Sequence, residues 1–299
     1  MRSLCMSLRG FARACHERSV VAAITCLLFV LVACGDDESD FAARPSDDSS
    51  SSVTLKSSDS ETSVSSSSTK SSSSSVKSSS SVTLATPCKT ETEDNCEYGE
   101  LLDDRDGQTY KTVKIGDQVW MAENLNFETD ESVCYHDSVE YCDKYGRLYT
   151  WAAAMDSAGT WSTNGKGCGY GNTCSVASTG SATLVRGVCP EGWHLPTKTE
   201  WETLFNAVGG ESTAGKVLKS TSGWDDNGNG TDAFSFSALP AGNRDYGGSY
   251  NGEGDDAHFW SSTEYVSSYA FNMFLGYNFD YAFLFNFKSY GFSVRCLQD

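Results

Sequence analysis

The sequence is poor in positive charge and in the groups that many enzymes use at their active sites. It contains 22 Lys and Arg against 40 Asp and Glu, a net charge of −18 at pH 7. This argues against a nucleic-acid partner, which would require a basic surface. No Ser-His-Asp order, phosphate-binding loop or dinucleotide fingerprint occurs, and His136, His194 and His258 are too dispersed to indicate a metal site. The sequence therefore predicts a protein that is not an enzyme.

The sequence also lacks an apolar run long enough to cross a bilayer. Its uncharged N-terminal stretch, residues 20–33, has 14 residues, too few for a membrane span and typical of a signal-peptide core. Four arginines precede it, and it ends in Leu31-Val32-Ala33-Cys34, which resembles the lipobox of bacterial lipoproteins. We expect a signal peptide over residues 1–33 and a lipid on Cys34 as the chain's one membrane contact. An ordinary secretory signal is the alternative.

The segment after Cys34 predicts where the protein is displayed. Residues 35–40 are rich in Asp and Glu and resemble export signals of surface lipoproteins, which predicts the outer membrane and the cell surface. Residues 34–87 are largely serine, without aromatic residues other than Phe41, so they predict a disordered tether. Removal of residues 1–33 takes away four arginines and one glutamate and makes the net charge −21.

Residues 88–299 have the composition of one folded domain, with all seven tryptophans between Trp120 and Trp260. Turn dipeptides and alternation predict strands, and a period of 3.6 predicts helices. The predicted strands are 108–115, 118–121, 234–239, 257–263, 269–275, 283–287 and 292–296. The predicted helices are 148–155, 197–208 and 213–219. Two to three short helices with short, mostly antiparallel strands and long loops indicate an α+β fold.

The helix predicted at 197–208 has complete start and stop signals. Thr197 is placed to cap it and Glu200 to complete a capping box. An apolar stripe follows at i, i+3, i+4 and i+7, and a Gly-Gly pair after residue 208 supplies the exit. The stripe consists of Trp201, Leu204, Phe205 and Val208.

The cysteines after residue 87 are even in number, which favours disulfides in an exported domain. Spacing favours three local pairs, Cys88–Cys96, Cys134–Cys142 and Cys168–Cys174, and elimination leaves Cys189–Cys296. Zinc binding and a catalytic thiol are the alternatives, although no Cys-x2-Cys pair exists.

Several motifs in this domain resemble a known bacterial family. The segment Cys189-Pro-Glu-Gly-Trp-His-Leu-Pro-Thr197 is similar to the Fibrobacter succinogenes major paralogous domain. Further matches, in the same order as in the family, are 109–125, 145–154, 236–242, 259–264 and 293–296. The family is typical of exported, often lipid-anchored proteins with serine-rich spacers, and its biochemical function is largely undefined.

A more distant resemblance bears on the fold. Leu195-Pro-Thr-Lys-Thr-Glu-Trp-Glu202 is similar to a signature of formylglycine-generating-enzyme-like domains. The resemblance implies a C-type-lectin-like fold for residues 88–299. It does not imply the activity. Those enzymes need a reactive cysteine pair, whereas every cysteine after residue 87 of this chain has a plausible disulfide partner.

One acidic loop predicts a cation site. Asp225, Asn227 and Asn229, followed by glycine, match the start of many calcium loops, and Asp232 can add a ligand. Calcium is therefore the one predicted cofactor. The alternative is a polar turn before a strand.

A second loop predicts a ligand site. Tyr246 and Tyr250, flanked by glycine and asparagine, are expected at the surface, and Glu253 and Asp255 lie in the neighbouring acidic loop, for which a solvated loop without a ligand is the alternative. Exposed rings stack on sugars while nearby carboxylates bond hydroxyls, so we expect a polysaccharide or cell-surface glycan as the partner. The resulting hypothesis is a lipid-anchored binding or adhesion module. The alternatives are an enzyme on a formylglycine-generating-enzyme-like scaffold and a structural envelope protein.

Overall fold

The computed structural model describes residues 84–174 and 184–299, all within one compact unit, Ser74–Asp299. The predicted signal peptide, Cys34 and the tether up to residue 83 lie outside the described residues. Ala85, assigned from sequence to the tether, donates its N–H to the carbonyl of Ala207 at 2.8 Å. In the part of the chain that is described, no helix is long and apolar enough to cross a membrane.

Strands outnumber helices in this α+β domain. The strands are β1 (Tyr98–Asp103), β2 (Gln108–Ile115), β3 (Gln118–Met121), β4 (Ser132–Val133), β5 (Leu148–Tyr149), β6 (Trp193–His194), β7 (Ala241–Arg244), β8 (Tyr250–Glu253), β9 (Asp256–Val266), β10 (Tyr269–Gly276), β11 (Phe279–Phe287) and β12 (Leu297–Gln298). The helices are α1 (Val139–Tyr145), α2 (Trp151–Ala154), α3 (Lys198–Ala207) and α4 (Glu211–Leu218), and a 3-10 helix covers Tyr135–Asp137.

The first sheet, in the order β1-β2-β3-β12-β6, joins the start of the domain to its end. Turns at Asp106-Gly107 and Gly116-Asp117 let β1, β2 and β3 pair as an antiparallel meander. Leu297 of β12 pairs with Trp120 on one side and with His194 on the other. The last residues of the chain therefore bridge the N-terminal meander and the segment that leads into α3.

The second sheet has the order β11-β10-β9-β7-β8. Its long strands β9, β10 and β11 are antiparallel neighbours, whereas β7 meets β9 in parallel at Gly242 and Ala257. Phe259, Met273 and Leu275 are buried in the middle of this sheet. At one end of the sheet, Tyr269 and Phe271 of β10 and Phe285 and Phe287 of β11 are incompletely buried, and they carry the site described below.

Helix α3 packs between the two sheets through its predicted stripe. Trp201, Leu204, Phe205 and Val208 are all buried, and the Trp201 ring lies 4.5 Å from that of Trp120. The predicted capping box is confirmed. The Glu200 N–H donates to Thr197 Oγ1 at 3.2 Å, and the Thr197 N–H donates to Glu200 Oε2 at 2.7 Å.

A fully buried arginine lies in the same core. The Arg295 guanidinium donates to Asn124 Oδ1 at 2.6 Å and to the backbone carbonyls of Met121, Phe236 and Ser237. Its carbon lies 4.7 Å from the Phe236 ring centroid. Burial lowers the pKa of Arg295 to about 9. The cation is held by carbonyl dipoles and ring faces, so it connects the last segment of the chain to residues 121–124 and to residues 236–237.

Four disulfides close the domain, between Cys88 and Cys96, Cys134 and Cys142, Cys168 and Cys174, and Cys189 and Cys296. These are the pairs that spacing and elimination favour. All eight cysteines after residue 87 are thereby in disulfides, so they supply neither zinc thiolates nor a catalytic thiol.

Three of the predicted elements differ from the structure, and helix α1 was not predicted. Residues 234–239 form no strand, because Ser235 and Ser237 have φ of 52° and 53° and turn the chain. Residues 292–296 make only isolated bridges. The predicted helix 148–155 begins with β5 instead, and α2 starts after Thr150, whose Oγ1 accepts the Ala153 N–H at 3.2 Å. The described chain thus has four α-helices rather than two to three.

Candidate functional site

A patch of eight aromatic side chains covers one end of β9, β10 and β11 and two adjoining loops. This aromatic face consists of Tyr170, Tyr246, Tyr265, Tyr269, Phe271, Phe285, Phe287 and Tyr290. Tyr246 is 72% exposed and Tyr265 and Phe285 are about half exposed. Soluble proteins seldom leave so much contiguous ring surface in water unless it binds a partner.

Strand register brings the central rings together. Tyr269 pairs with Phe287 and Phe271 with Phe285 across β10 and β11. The ring centroids of Tyr269 and Phe287 are 4.3 Å apart, and those of Tyr265 and Phe285 are 4.2 Å apart with an interplanar angle of 17°. Because the rings contact one another, the surface is formed before any ligand arrives.

Loops extend the face beyond the strands. Tyr246, in the turn between β7 and β8, lies 5.9 Å from Phe287 and 6.1 Å from Tyr290. Tyr170, inside the small loop closed by the Cys168–Cys174 disulfide, lies 6.3 Å from Phe287. The aromatic face therefore combines residues of strands and of loops, and Phe287 lies at its centre.

A buried ion pair holds the loop that carries Tyr170. The Lys288 ammonium, at 0% exposure, binds the Glu264 carboxylate, at 2%. Lys288 also donates to the carbonyls of Gly169 at 3.2 Å and Asn172 at 2.9 Å, while Glu264 accepts the Cys174 N–H at 3.1 Å. Both charged side chains therefore hydrogen-bond the backbone of the loop closed by the Cys168–Cys174 disulfide.

A buried histidine lies on β9 of the same sheet. The His258 ring stacks on Phe292 with centroids 4.5 Å apart, and its Nδ1 lies 3.1 Å from Asn272 Nδ2. Burial lowers the pKa of His258 from 6.5 to about 3. The ring is neutral at neutral pH, so its Nδ1 accepts the Asn272 N–H.

We expect this histidine to make the domain sensitive to mild acid. The unfolded chain protonates near pH 6.5 and the folded one near 3, so His258 contributes stability above pH 6.5 that is lost as pH falls from 6.5 towards 3. Between pH 7 and pH 5 this contribution falls by about 2 kcal/mol. Urea unfolding of wild type and H258F at both pH values measures it, and H258F should lose about 2 kcal/mol less than wild type on acidification.

His194 provides a control of opposite sign. Burial lowers its pKa, but hydrogen bonds and charge from Glu200 and Asp299 outweigh burial and raise it. Its contribution is present below the unfolded pKa and is lost as pH rises through the folded pKa. H194F should therefore cost more stability at pH 5 than at pH 7. Equal pH responses in H258F and wild type would contradict the assignment for His258.

Of the four predicted ligand residues, Tyr250 belongs to a second group of rings and Glu253 binds to that group. This tyrosine cluster consists of Tyr135, His136, Tyr141, Tyr145 and Tyr250. Tyr250 donates to Asp137 Oδ1 at 2.5 Å, and burial together with the Asp137 carboxylate raises the pKa of Tyr250 to about 12. Glu253 accepts the Tyr145 hydroxyl at 3.0 Å. Tyr250 and Glu253 are therefore engaged within the protein.

The other two predicted residues lie apart from this cluster. Tyr246 belongs to the aromatic face. Asp255 is in the turn before β9, where its carbonyl accepts the Tyr277 N–H at 2.7 Å. Its charge, added to burial, raises the pKa of Asp256 to about 6. The four residues predicted as one site thus lie in three surroundings.

The predicted calcium residues already have partners for some of their oxygens. The Asp232 carboxylate binds Lys89 Nζ at 2.6 Å and accepts the Ser237 N–H at 2.7 Å. Asn229 Oδ1 accepts the Trp224 N–H at 3.0 Å. Through these contacts the side chains of Asp232 and Asn229 stabilise turns of the protein's own backbone.

Asp225 and Asn227 lie exposed on that turn. The carbonyl of Asp225 accepts the Gly228 N–H at 2.7 Å. Within residues 84–174 and 184–299, no group of three or more His, Cys, Asp and Glu could hold a metal ion. Calcium binding by this loop stays a prediction.

Two clefts open elsewhere on the surface. One, of about 520 Å³, is lined by the acidic residues Glu128, Asp130, Glu131 and Asp156 and by Trp161. The carboxylate of Asp156 accepts three N–H groups of the following loop, from Thr160 to Ser162, at 2.6 to 2.9 Å, so it shapes the wall.

The other cleft has about 510 Å³, and we name it the Asn126 cleft. Its walls include Thr109, Lys111, Glu123, Asn126, Lys144 and Tyr145. Neither cleft is lined by a residue of the aromatic face.

Sequence reasoning found Tyr246 but missed most of the face. The available signal was the spacing of aromatic residues by two in the predicted strands, at 269 and 271 and at 285 and 287. Such spacing places rings on one side of each strand.

Comparison with known proteins identifies the family. Neither a curated protein nor a solved structure is significantly similar to this chain. The sequence profile of the Fibrobacter succinogenes major domain matches residues 113–298, which include the end of β2 and all later strands, the Cys189–Cys296 disulfide and all eight rings of the aromatic face. This match covers more than half of the chain, and the protein belongs to the Fibrobacter succinogenes major domain family.

Proposed function

We propose that this chain is a lipid-anchored surface protein that binds polysaccharide through its aromatic face. The observation that carries the proposal is the set of eight neighbouring rings, four of them about half exposed or more. The C–H groups on one side of a sugar ring pack on an aromatic ring face, and tyrosine hydroxyls at the rim bond sugar hydroxyls.

Charge supports a neutral ligand. Aromatic platforms also stack nucleic-acid bases, but those sites add a basic groove for the phosphates. This chain carries a net charge of −18, which repels polyanions. A neutral polysaccharide offers ring faces without that repulsion.

The open shape supports an extended ligand. Small molecules bind in concave sites that cover most of their surface, whereas the aromatic face lies outside both clefts. A polysaccharide surface, with many sugar faces side by side, can cover several rings at once, so weak contacts add up.

Binding to insoluble polysaccharide tests the proposal. We expect full-length protein to sediment with at least one of microcrystalline cellulose, insoluble xylan and chitin. Replacing two stacked rings, in Y265A/F285A, should weaken the partition by about tenfold, on the order of 1.4 kcal/mol, because both rings are exposed and contribute contact area.

A matched control removes exposed apolar side chains elsewhere. Leu102 is 56% and Val139 70% exposed, and L102A/V139A should bind as wild type does. No sedimentation of wild type with any of the three polymers, or equal loss in both double variants, would refute polysaccharide binding by this face.

We also propose that the protein is anchored to the outer membrane through lipid on Cys34 and displayed at the cell surface. The lipobox-like residues 31–34 and the acidic segment after them support this. Labelled fatty acid should be incorporated into wild type but not into C34A, and protease added to intact cells should digest the wild-type domain. Equal labelling of C34A would contradict the anchor.

A C-type-lectin-like fold is part of the same proposal. It is supported by the α+β architecture, the long loops and the Leu195–Glu202 resemblance. An experimental structure superposed on lectin-like domains tests it, and a different strand order in the core would exclude it.

A further inference from the structure

We infer that the aromatic face takes single, twisted polysaccharide chains and not the flat face of a polysaccharide crystal. This inference rests on the proposed function and names the physical form of its ligand. It follows from the directions of the ring planes. Sugar rings in a flat crystal face share one plane, so every protein ring that stacks on them must be parallel to that plane. An insoluble polymer whose chains are not packed in a crystal still presents single chains.

The central rings of the face form a stack and not a level platform. The planes of Phe287 and Tyr290 are within 9° of each other, and that of Tyr269 is 31° from that of Phe287. The centroids of Tyr269 and Phe287 are only 4.3 Å apart, too close for rings that lie side by side in one plane. Each ring in such a stack covers part of its neighbour, so only the outermost ring offers a whole face to a ligand.

The most exposed rings are turned away from these central rings. Tyr246 lies at 62° to Phe287, and Tyr170, which is 57% exposed, lies at 46° to it. On the strands, the half-exposed Phe285 ring lies at 80° to Tyr269. A flat crystal surface laid on one of these rings would meet the others at a steep angle. A single chain can stack on them in turn, because rotation about its glycosidic bonds turns successive sugar planes.

The backbone beneath Tyr170 is held in place. A disulfide joins the ends of its loop, and the buried Lys288 ammonium binds the carbonyls on either side of it. The Gly171 N–H also donates to the Ser267 carbonyl at 3.0 Å, which ties the loop to the turn between β9 and β10. Tyr170 therefore cannot be levelled with Phe287 without breaking these contacts.

The turn that carries Tyr246 is held as well. The Asp245 carboxylate accepts the N–H groups of Gly247 and Ser249 at 2.8 and 2.9 Å, and the Asp245 carbonyl accepts the Gly248 N–H at 3.0 Å. Backbone bonds and ring contacts thus set the tilts of Tyr170 and Tyr246 before a ligand arrives. These two rings are the specificity-determining residues for a twisted chain.

Soluble chains compared with crystals test the inference. Full-length protein is titrated by calorimetry with cellohexaose, xylohexaose and chitohexaose, and binding isotherms are measured on microcrystalline cellulose and crystalline chitin. We expect saturable binding of at least one hexasaccharide, with a lower dissociation constant than on either crystal. The same hexasaccharide in excess should release the protein from the insoluble polymer with which it sediments.

Single variants test the two tilted rings. Y170A and Y246A should each weaken hexasaccharide binding by about fivefold, since each removes one stacking ring. Both side chains are exposed, so both variants should keep the melting temperature of wild type. L102A/V139A is the control, and it should bind the hexasaccharide as wild type does.

The outcomes separate this inference from the proposed function. A lower dissociation constant on a crystal than for every hexasaccharide would overturn the inference and leave polysaccharide binding standing. Hexasaccharide binding that is unchanged in both Y170A and Y246A would overturn it as well. If wild type binds no hexasaccharide, no crystal and no insoluble xylan, the proposed function fails and the inference fails with it.

Discussion

The double variant C189A/C296A is expected to lose about 4 to 5 kcal/mol of unfolding free energy. Its disulfide spans a sequence separation of 107 residues, and closing a loop of that length removes about 4.7 kcal/mol of chain entropy from the unfolded state. Both cysteines are fully buried, and the bond ties the segment before β6 to the segment before β12. Urea unfolding with fluorescence detection measures the loss.

The Cys134–Cys142 disulfide is the matched control. Its cysteines are also buried, but their sequence separation is 8, for which the same relation gives about 2.5 kcal/mol. C134A/C142A should therefore be the more stable of the two double variants. Equal losses would show that loop length does not govern the effect.

Replacing Glu264 by glutamine is expected to cost about 3 to 5 kcal/mol. The variant leaves the Lys288 ammonium charged at 0% exposure without its counter-ion, and an uncompensated buried charge is strongly destabilising. The loop with Tyr170 should loosen as well, since Lys288 and Glu264 both bind its backbone. Thermal unfolding gives the stability, and amide hydrogen exchange of residues 169–174 reports on the loop.

The double variant E264L/K288M separates charge from packing. With both charges removed, the desolvation penalty disappears and most of the lost stability should return. Loop protection should not return, because leucine and methionine cannot bond the carbonyls of Gly169 and Asn172 or the Cys174 N–H. If E264L/K288M were as unstable as E264Q, the loss of stability would come from altered packing and not from an unpaired buried charge.

Local signals in the sequence predicted the elements that local interactions build. Helix α3 was found because its cap, box and stripe all lie within residues 197–208, and strands β2 and β3 because tight turns bound them. The segment 234–239 was wrongly predicted as a strand because contacts with residues outside the segment determine its path. Its path depends on Asp232, which binds Ser237, and on Lys89, which lies far away in the sequence.

The aromatic face was missed because it depends on distant contacts. Alternation indicates that Tyr269 and Phe271 share one side of a strand, but not whether that side faces water or the core. Tyr170 and Tyr246 join the same surface through two loops. Conversely, Tyr250 and Glu253 were predicted beside Tyr246 but bond to α1 and to the 3-10 helix before it.

The sequence by itself determined the family, the disulfide partners, the acidic charge and the one strongly capped helix, because each is encoded in residue identity or short spacing. Only the tertiary structure decided which aromatic residues reach water together and which carboxylates pair with buried lysines. Those features depend on the packing of β9, β10 and β11 and on contacts between distant segments, such as the loop of Cys174 and strand β9 at Glu264, which are 90 residues apart. Such distances are not set by any local preference of the chain.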